Sequence, residues 1–186
     1  MIFVNDVSNH KEHKKTLLSR IEEYKSLNDT ILPFRYTALA HEKESDSKGT
    51  VHSDYHIDYR DGKLNLNDFF DNSEMHDILT KIGKDLNLNR FDEFEWEVES
   101  AWFQQYYDNG SHCWHTHPKC HFTNVYFLEL PKNAHKTEVI GLNNRLFSYE
   151  AKEGSLITFP SFLQHRSIPN GSDRKTIISF NTSYKV

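Results

Sequence analysis

Residues 153–181 read EGSLITFPSFLQHRSIPNGSDRKTIISFN, and their punctuation predicts three successive β-strands. Gly154 permits a tight turn, and Leu156, Ile157 and Phe159 then form a short apolar run of the kind that makes a buried strand. Pro160 ends that run because it cannot donate to a central ladder. His165 opens the next strand, Pro169, Asn170 and Gly171 close the turn after it, and the basic pair Arg174 and Lys175 leads into a last apolar strand, Thr176 to Tyr184.

Upstream, the same texture continues. Phe94, Trp96 and Val98 alternate with Glu95, Glu97 and Glu99, the period of two expected of a half-buried strand. Phe122 to Leu130 and Arg145 to Glu150 are further strand candidates, separated by the turn signals DNG, GLNN, KEG and PNGS. Before Asn89 the pattern is helical. Leu17, Leu18, Ile21, Tyr24 and Leu27 recur at spacings of three and four after a capping Ser8 or Asn9, and Met75, Ile78, Leu79, Ile82 and Leu86 repeat the pattern over Ser73 to Leu86. Between the helices, HEKESDSKGTVHSDYHIDYRDGK (41–63) is polar and reads as a long surface loop. The expected fold is mostly β with flanking α: a jelly-roll, cupin-like double-stranded β-helix with the N-terminal helices packed outside. The expected organisation is a single domain over 1–186, with a helical and loop flank to about 90 and the jelly-roll core from about 91.

Composition narrows the classes. The chain is 37% hydrophobic, and its 13 Phe, 9 Tyr and 3 Trp supply the large rigid surfaces of a packed core. The 22 Lys and Arg are scattered under a net charge of −5, which leaves no basic stripe for nucleic acid. The N-terminus turns polar too soon for a signal peptide, and no apolar run approaches the roughly 20 residues that span a bilayer. Only Cys113 and Cys120 are present, too few for a disulfide framework, so a soluble cytoplasmic protein is expected.

The densest chemistry is HCWHTHPKCH (112–121), with four histidines and two cysteines in ten positions. Residues two apart on a strand share a face, so His115 and His117 can aim both imidazoles at one point while Thr116 faces away. His165, about fifty residues on, supplies a third imidazole. Two other arrangements compete: exposed surface histidines, and a structural zinc site built from Cys113, His115, His117 and Cys120. A literal His-x-Asp pair, His56 and Asp58, lies in the polar loop.

The blocks WFQQYYDNGSHCWHTHP, FTNVYFLELP, EGSLITFPSFLQH and RKTIISFN together resemble a group of 2-oxoglutarate/Fe(II) oxygenases common in bacteria and their phages. The resemblance covers residues 95–184. It implies Fe(II) held by His115, His117 and His165, with 2-oxoglutarate and O2 as co-substrates and hydroxylation of an unidentified substrate with release of succinate and CO2. The wider superfamily carries His-x-Asp or His-x-Glu where this chain has His117, so with His117 as ligand the site lacks its carboxylate and is one unit more positive; the alternative is that His117 only neighbours the metal and water or a remote carboxylate, Asp58 being a candidate, completes the shell.

A far carboxylate of 2-oxoglutarate needs a cation, and arginine's planar fork suits it. Arg174 is the expected partner, with Thr176 on the same face and Lys175 pointing away. Asn124, Tyr126, Gln104 and Tyr106 are same-face polar groups expected to orient the keto acid. Trp102, Trp114, Phe159 and Phe162 read as packing residues. The alternatives are a three-histidine cupin-type metalloenzyme without 2-oxoglutarate and a zinc-stabilised binding domain. The substrate, whether small molecule, nucleotide or protein side chain, is not legible, and neither is the oligomeric state.

Overall fold

A computed structural model describes residues 1–32, 49–55, 63–88 and 94–185. In chain order the elements are β1 (Phe3–Asp6), α1 (His10–Leu27), β2 (Thr50–Ser53), α2 (Asn67–Phe70), α3 (Ser73–Asp85), β3 (Glu95–Tyr107) and β4 (His112–His115). They continue with β5 (Phe122–Glu129), β6 (Glu138–Val139), β7 (Ser155–Pro160), β8 (His165–Ser167) and β9 (Lys175–Lys185). A six-stranded sheet in the order β1-β7-β5-β9-β3-β2 faces a three-stranded one in the order β4-β8-β6, with every pairing antiparallel. Among the described residues no helix is long and apolar enough to cross a membrane.

Strand alternation divides the large sheet's side chains between two cores. Phe103, Tyr126, Leu156, Ile178 and Phe180 meet Leu17 and Ile21 of α1 and Leu79 and Ile82 of α3. Tyr106, Val125, Phe127, Ile157, Phe159 and Ile177 point the other way and pack with Val139 of the small sheet. Both helices lie where the 3.6-residue period places them. Asn72 caps α3, its side chain accepting from the Met75 amide at 2.9 Å. Leu27 fits the period of α1 but, as the last helical residue, is 77% exposed.

Two local expectations are corrected. The polar stretch 41–63 is not wholly loop, since Thr50–Ser53 form the edge strand β2 against β3, with Val51 opposite Tyr106. Four residues are too few to show a period, and Ser53 and Asp54 are buried polar residues that both bond the backbone of Phe103 on β3. Arg145–Glu150 is not a strand; only Leu146 forms an isolated bridge, to Ile140. In β3, the register shifts between Val98 and Ser100. This bulge reverses the alternation, so Trp96 and Val98 pack toward the helices while Trp102, Gln104 and Tyr106 face the small sheet.

Asp54 takes over where β2 stops. It is fully buried, and its carboxylate accepts from the Phe103 amide at 3.0 Å and the Leu64 amide at 3.2 Å. Burial pushes its pKa up to about 6. Asp54→Ala would leave two buried amides without acceptors, and the expected loss is about 2–4 kcal/mol in urea denaturation at pH 7. The folded-state pKa lies above the unfolded value, so the carboxyl's contribution is complete below the unfolded value and falls as pH rises through about 6. The gap between wild type and variant should therefore widen from pH 7 to pH 5.

Candidate metal centre

His115 ends β4 and pairs across the small sheet with His165, the first residue of β8, which brings their rings to 4.2 Å between centroids. His117 lies just past the strand, so the expected two-apart strand geometry does not account for its position. Instead its amide donates to the Ser161 carbonyl at 3.0 Å in the β7–β8 connection, which ties the two ligand-bearing segments together. Its ring is 5.1 Å from His115 and 4.8 Å from His165. One ring nitrogen of each of the three lies within 4.8 Å of the others.

The other ring nitrogens are occupied. His115 Nδ1 donates to the Cys113 carbonyl at 2.8 Å, His165 Nδ1 to the Leu163 carbonyl at 3.2 Å, and His117 Nδ1 to Asn181 Oδ1 at 2.6 Å. A carbonyl or amide oxygen can only accept, so each Nδ1 carries the proton and each Nε2 keeps its lone pair. Burial pushes all three imidazoles below their ordinary range, His115 to about 4. Neutral imidazoles with anchored Nδ1 protons are the donors that divalent transition metals take. The three residues therefore fit a metal ion. Neither Cys113 nor Cys120 is among the converging donors, which disfavours the structural-zinc set. His56 and Asp58 lie outside the described residues.

Asn181 is the residue that the sequence reading missed. It sits on β9 opposite Ser100, to whose Oγ its amide nitrogen donates at 3.0 Å, so its oxygen is held toward His117. Asn181→Ala is expected to weaken Fe(II) or Co(II) binding about tenfold to a hundredfold without loss of fold, measured by metal titration beside a thermal melt.

A narrow cavity runs from the histidines between the sheets, lined by Trp102, Gln104, Tyr106, His112, Ser167 and Ser179 among others. It holds about 20 Å³, room for a single water, so a larger ligand enters only as wall side chains move. His112 stacks on His115 at 4.1 Å and accepts from Gln104 Nε2 at 3.1 Å, while Gln104 Oε1 accepts from the Tyr106 hydroxyl at 2.9 Å.

Of the residues expected to hold a co-substrate, Gln104 and Tyr106 line this cavity and the other four do not. Asn124 donates to the Phe180 carbonyl and to Thr182 on the helix side of the sheet, and the Tyr126 hydroxyl meets His10 Nδ1 at 2.7 Å. Arg174 is one-third exposed, with Glu22 at 2.9 Å and Glu129 at 2.7 Å, and the Thr176 hydroxyl also bonds Glu129. The expected orientation of the basic pair is thus reversed. Lys175 is the inward one: it is wholly buried, its Nζ bonds Ser167 Oγ and, at 3.0 Å, the His135 carbonyl, and it lies 4.4 Å from the centroid of the Tyr106 ring. Burial lowers its pKa to about 7. The parity follows from β9's alternation, in which Lys175, Ile177, Ser179 and Asn181 share the inner face.

Comparison with solved structures places this architecture. An oxidoreductase of the 2OG-Fe(II) oxygenase family from Burkholderia pseudomallei superposes with a TM-score of 0.60 at 11% identity, covering 89% of this chain and 78% of its own. A prolyl-4-hydroxylase from Pseudomonas putida gives 0.59 at 14% identity, covering 98% and 92%. The fold is that of the 2-oxoglutarate/Fe(II) oxygenases. A viral collagen prolyl hydroxylase from Paramecium Bursaria Chlorella virus-1, solved as a 2OG complex, shares the oxygenase fold at a TM-score of 0.56 and 14% identity over 100% of this chain and 96% of its own. No protein-family model matches the sequence, and no curated protein matches it.

Proposed function

We propose that the protein is an Fe(II)- and 2-oxoglutarate-dependent oxygenase that hydroxylates its substrate. The observation that carries this is the convergence of three Nδ1-anchored, neutral imidazoles, on an oxygenase fold, at a cavity whose wall residues Ser167 and Tyr106 are in contact with a buried lysine. His115, His117 and His165 would hold the iron through Nε2. Lys175, in place of Arg174, would meet the far carboxylate of 2-oxoglutarate, with the Tyr106 hydroxyl beside it and Gln104 fixing that hydroxyl's direction. When bound, iron, 2-oxoglutarate and O2 supply the oxidation, in which 2-oxoglutarate becomes succinate and CO2 and one oxygen atom enters the substrate.

The protein's own share is placement and exclusion. A site of three neutral histidines keeps the full dipositive charge of the metal, which favours a dianionic ligand more than a site with a carboxylate would. The tight packing of Phe159 against His165, at 4.9 Å between rings, and of Trp102 against His117, at 5.3 Å, keeps bulk water from the donors. Among the substrate classes, a protein side chain is supported by the likeness to prolyl hydroxylases. A three-histidine metalloenzyme that dispenses with 2-oxoglutarate is the second reading, favoured by the narrow cavity. Anaerobic addition of Fe(II) and then 2-oxoglutarate separates the two. A weak visible charge-transfer band, followed by succinate under air, is expected, and a colourless protein that makes no succinate would exclude the first reading.

A further inference from the structure

We infer that Trp102 is a ligand-binding residue of this centre, donating its indole N–H to the metal-bound end of the dicarboxylate. The inference rests on the co-substrate reading above and adds a contact that the reading itself does not require. Trp102 is 3% exposed and lies along the cavity wall, with its ring 5.3 Å from that of His117. The Tyr55 ring, 5.0 Å away, packs against it too. Its Nε1 is buried and has no hydrogen-bond partner among the described residues.

A buried N–H without an acceptor costs about 1–3 kcal/mol, and phenylalanine would pack in much the same place without that cost. Four other buried polar atoms share this condition, on His13, Tyr24, Thr123 and Asn170, but none of those residues lines the metal cavity. Trp102 is therefore the one orphaned donor, among the described residues, that stands beside the metal ligands.

The strand ladder says which part of a ligand it would meet. Trp102 pairs with Ser179 and Tyr106 pairs with Lys175, so the indole and the ammonium mark opposite ends of one inner face, four residues or about 13 Å apart along the strand. The ammonium end has its cation for the far carboxylate. The indole end adjoins His117, where the metal-chelating end of the ligand would lie, and a carboxylate oxygen there is a strong acceptor for the indole N–H.

The test uses the whole chain loaded with Mn(II) and calorimetric titration with two anions: 2-oxoglutarate, and oxalate, which chelates a metal but has no far carboxylate. Trp102→Phe is expected to raise the Kd of both anions about tenfold while leaving the Kd of Mn(II) unchanged. Lys175→Met is expected to weaken 2-oxoglutarate and spare oxalate. Trp102→Leu, also without a donor, repeats the measurement if the phenylalanine variant does not fold. Wild-type affinity for both anions in the Trp102 variant would overturn the inference alone, and so would an equal loss of Mn(II) affinity, which marks a merely structural role. A wild-type protein that binds Mn(II) but neither anion would overturn the co-substrate reading and this inference with it.

Discussion

His165→Ala is expected to abolish stoichiometric Fe(II) binding and to lower succinate formation at least a thousandfold. His165 is 4% exposed, its Nδ1 is anchored on the Leu163 carbonyl, and it faces His115 directly across the small sheet. Removing one of three imidazoles leaves a two-ligand site, which at micromolar iron stays empty. His112→Ala is the matched control. That histidine is equally buried and stacks on His115, but it is outside the converging set, and its Nδ1 accepts a hydrogen bond from Gln104 Nε2. It should keep metal binding within a fewfold of wild type. Thermal melts of both variants separate loss of metal from loss of fold, since a buried histidine replaced by alanine costs some packing in either case. Tight iron binding by His165→Ala, or equal losses in the two variants, would contradict the assignment.

Lys175→Met should raise the Kd of 2-oxoglutarate a hundredfold or more, whereas Arg174→Ala should change it less than twofold. The two residues are adjacent at the start of β9 but point to opposite sides of the sheet. Arg174 is held by Glu22 and Glu129 at the edge of the α1 layer, while Lys175 reaches Ser167 and the Tyr106 ring inside. Truncating one partner of a buried, hydrogen-bonded charge pair costs about 2–5 kcal/mol, whereas a partly exposed ion pair on another face contributes nothing to the cavity.

A pH signature accompanies the lysine. Burial brings the amine to about 7 in the free protein, so above that pH it must take up a proton to meet a dianion. Affinity for 2-oxoglutarate should fall as pH rises from 7 to 9, by up to tenfold per unit, and Lys175→Met should lose this slope. Stability runs in the opposite direction. The unfolded lysine binds a proton below its ordinary value near 10.5 while the folded one does so only below about 7, so its contribution grows from pH 7 upward and is lost as pH falls through 7. Lys175→Met at pH 7 should therefore be as stable as wild type or about 1 kcal/mol more so.

The parts of this account that were legible in the sequence are those carried by long or chemically dense signals. Two amphipathic helices and the strands at Phe122, Ser155 and Thr176 lie close to where spacing places them, and the three histidines converge, although His117 does so from beyond the strand. Face assignments fared worse, and for one physical reason. A period of two fixes which residues share a face but not which face it is, and a single bulged residue exchanges them. The shift between Val98 and Ser100 therefore put Trp102, Gln104 and Tyr106 on the metal side, although the alternation of Trp96 and Val98 continues into them in sequence. Arg174 and Thr176 do share a side, both reaching Glu129, yet the inner face of β9 belongs to Lys175. A lysine held by a serine, a backbone carbonyl and an aromatic face leaves no mark in the sequence, because those partners come from three separate segments. Asn181 was hidden for the same reason: it looks like the polar half of an alternating strand until His117, 64 residues away, is brought against it.

The most direct test of the central claim is a crystal structure of the protein grown without oxygen in Mn(II) and 2-oxoglutarate. The account predicts the metal on Nε2 of His115, His117 and His165, chelated by the keto-acid end of 2-oxoglutarate, with the far carboxylate on Lys175 Nζ. A metal bound through Cys113 or Cys120, or a far carboxylate on Arg174, would contradict it.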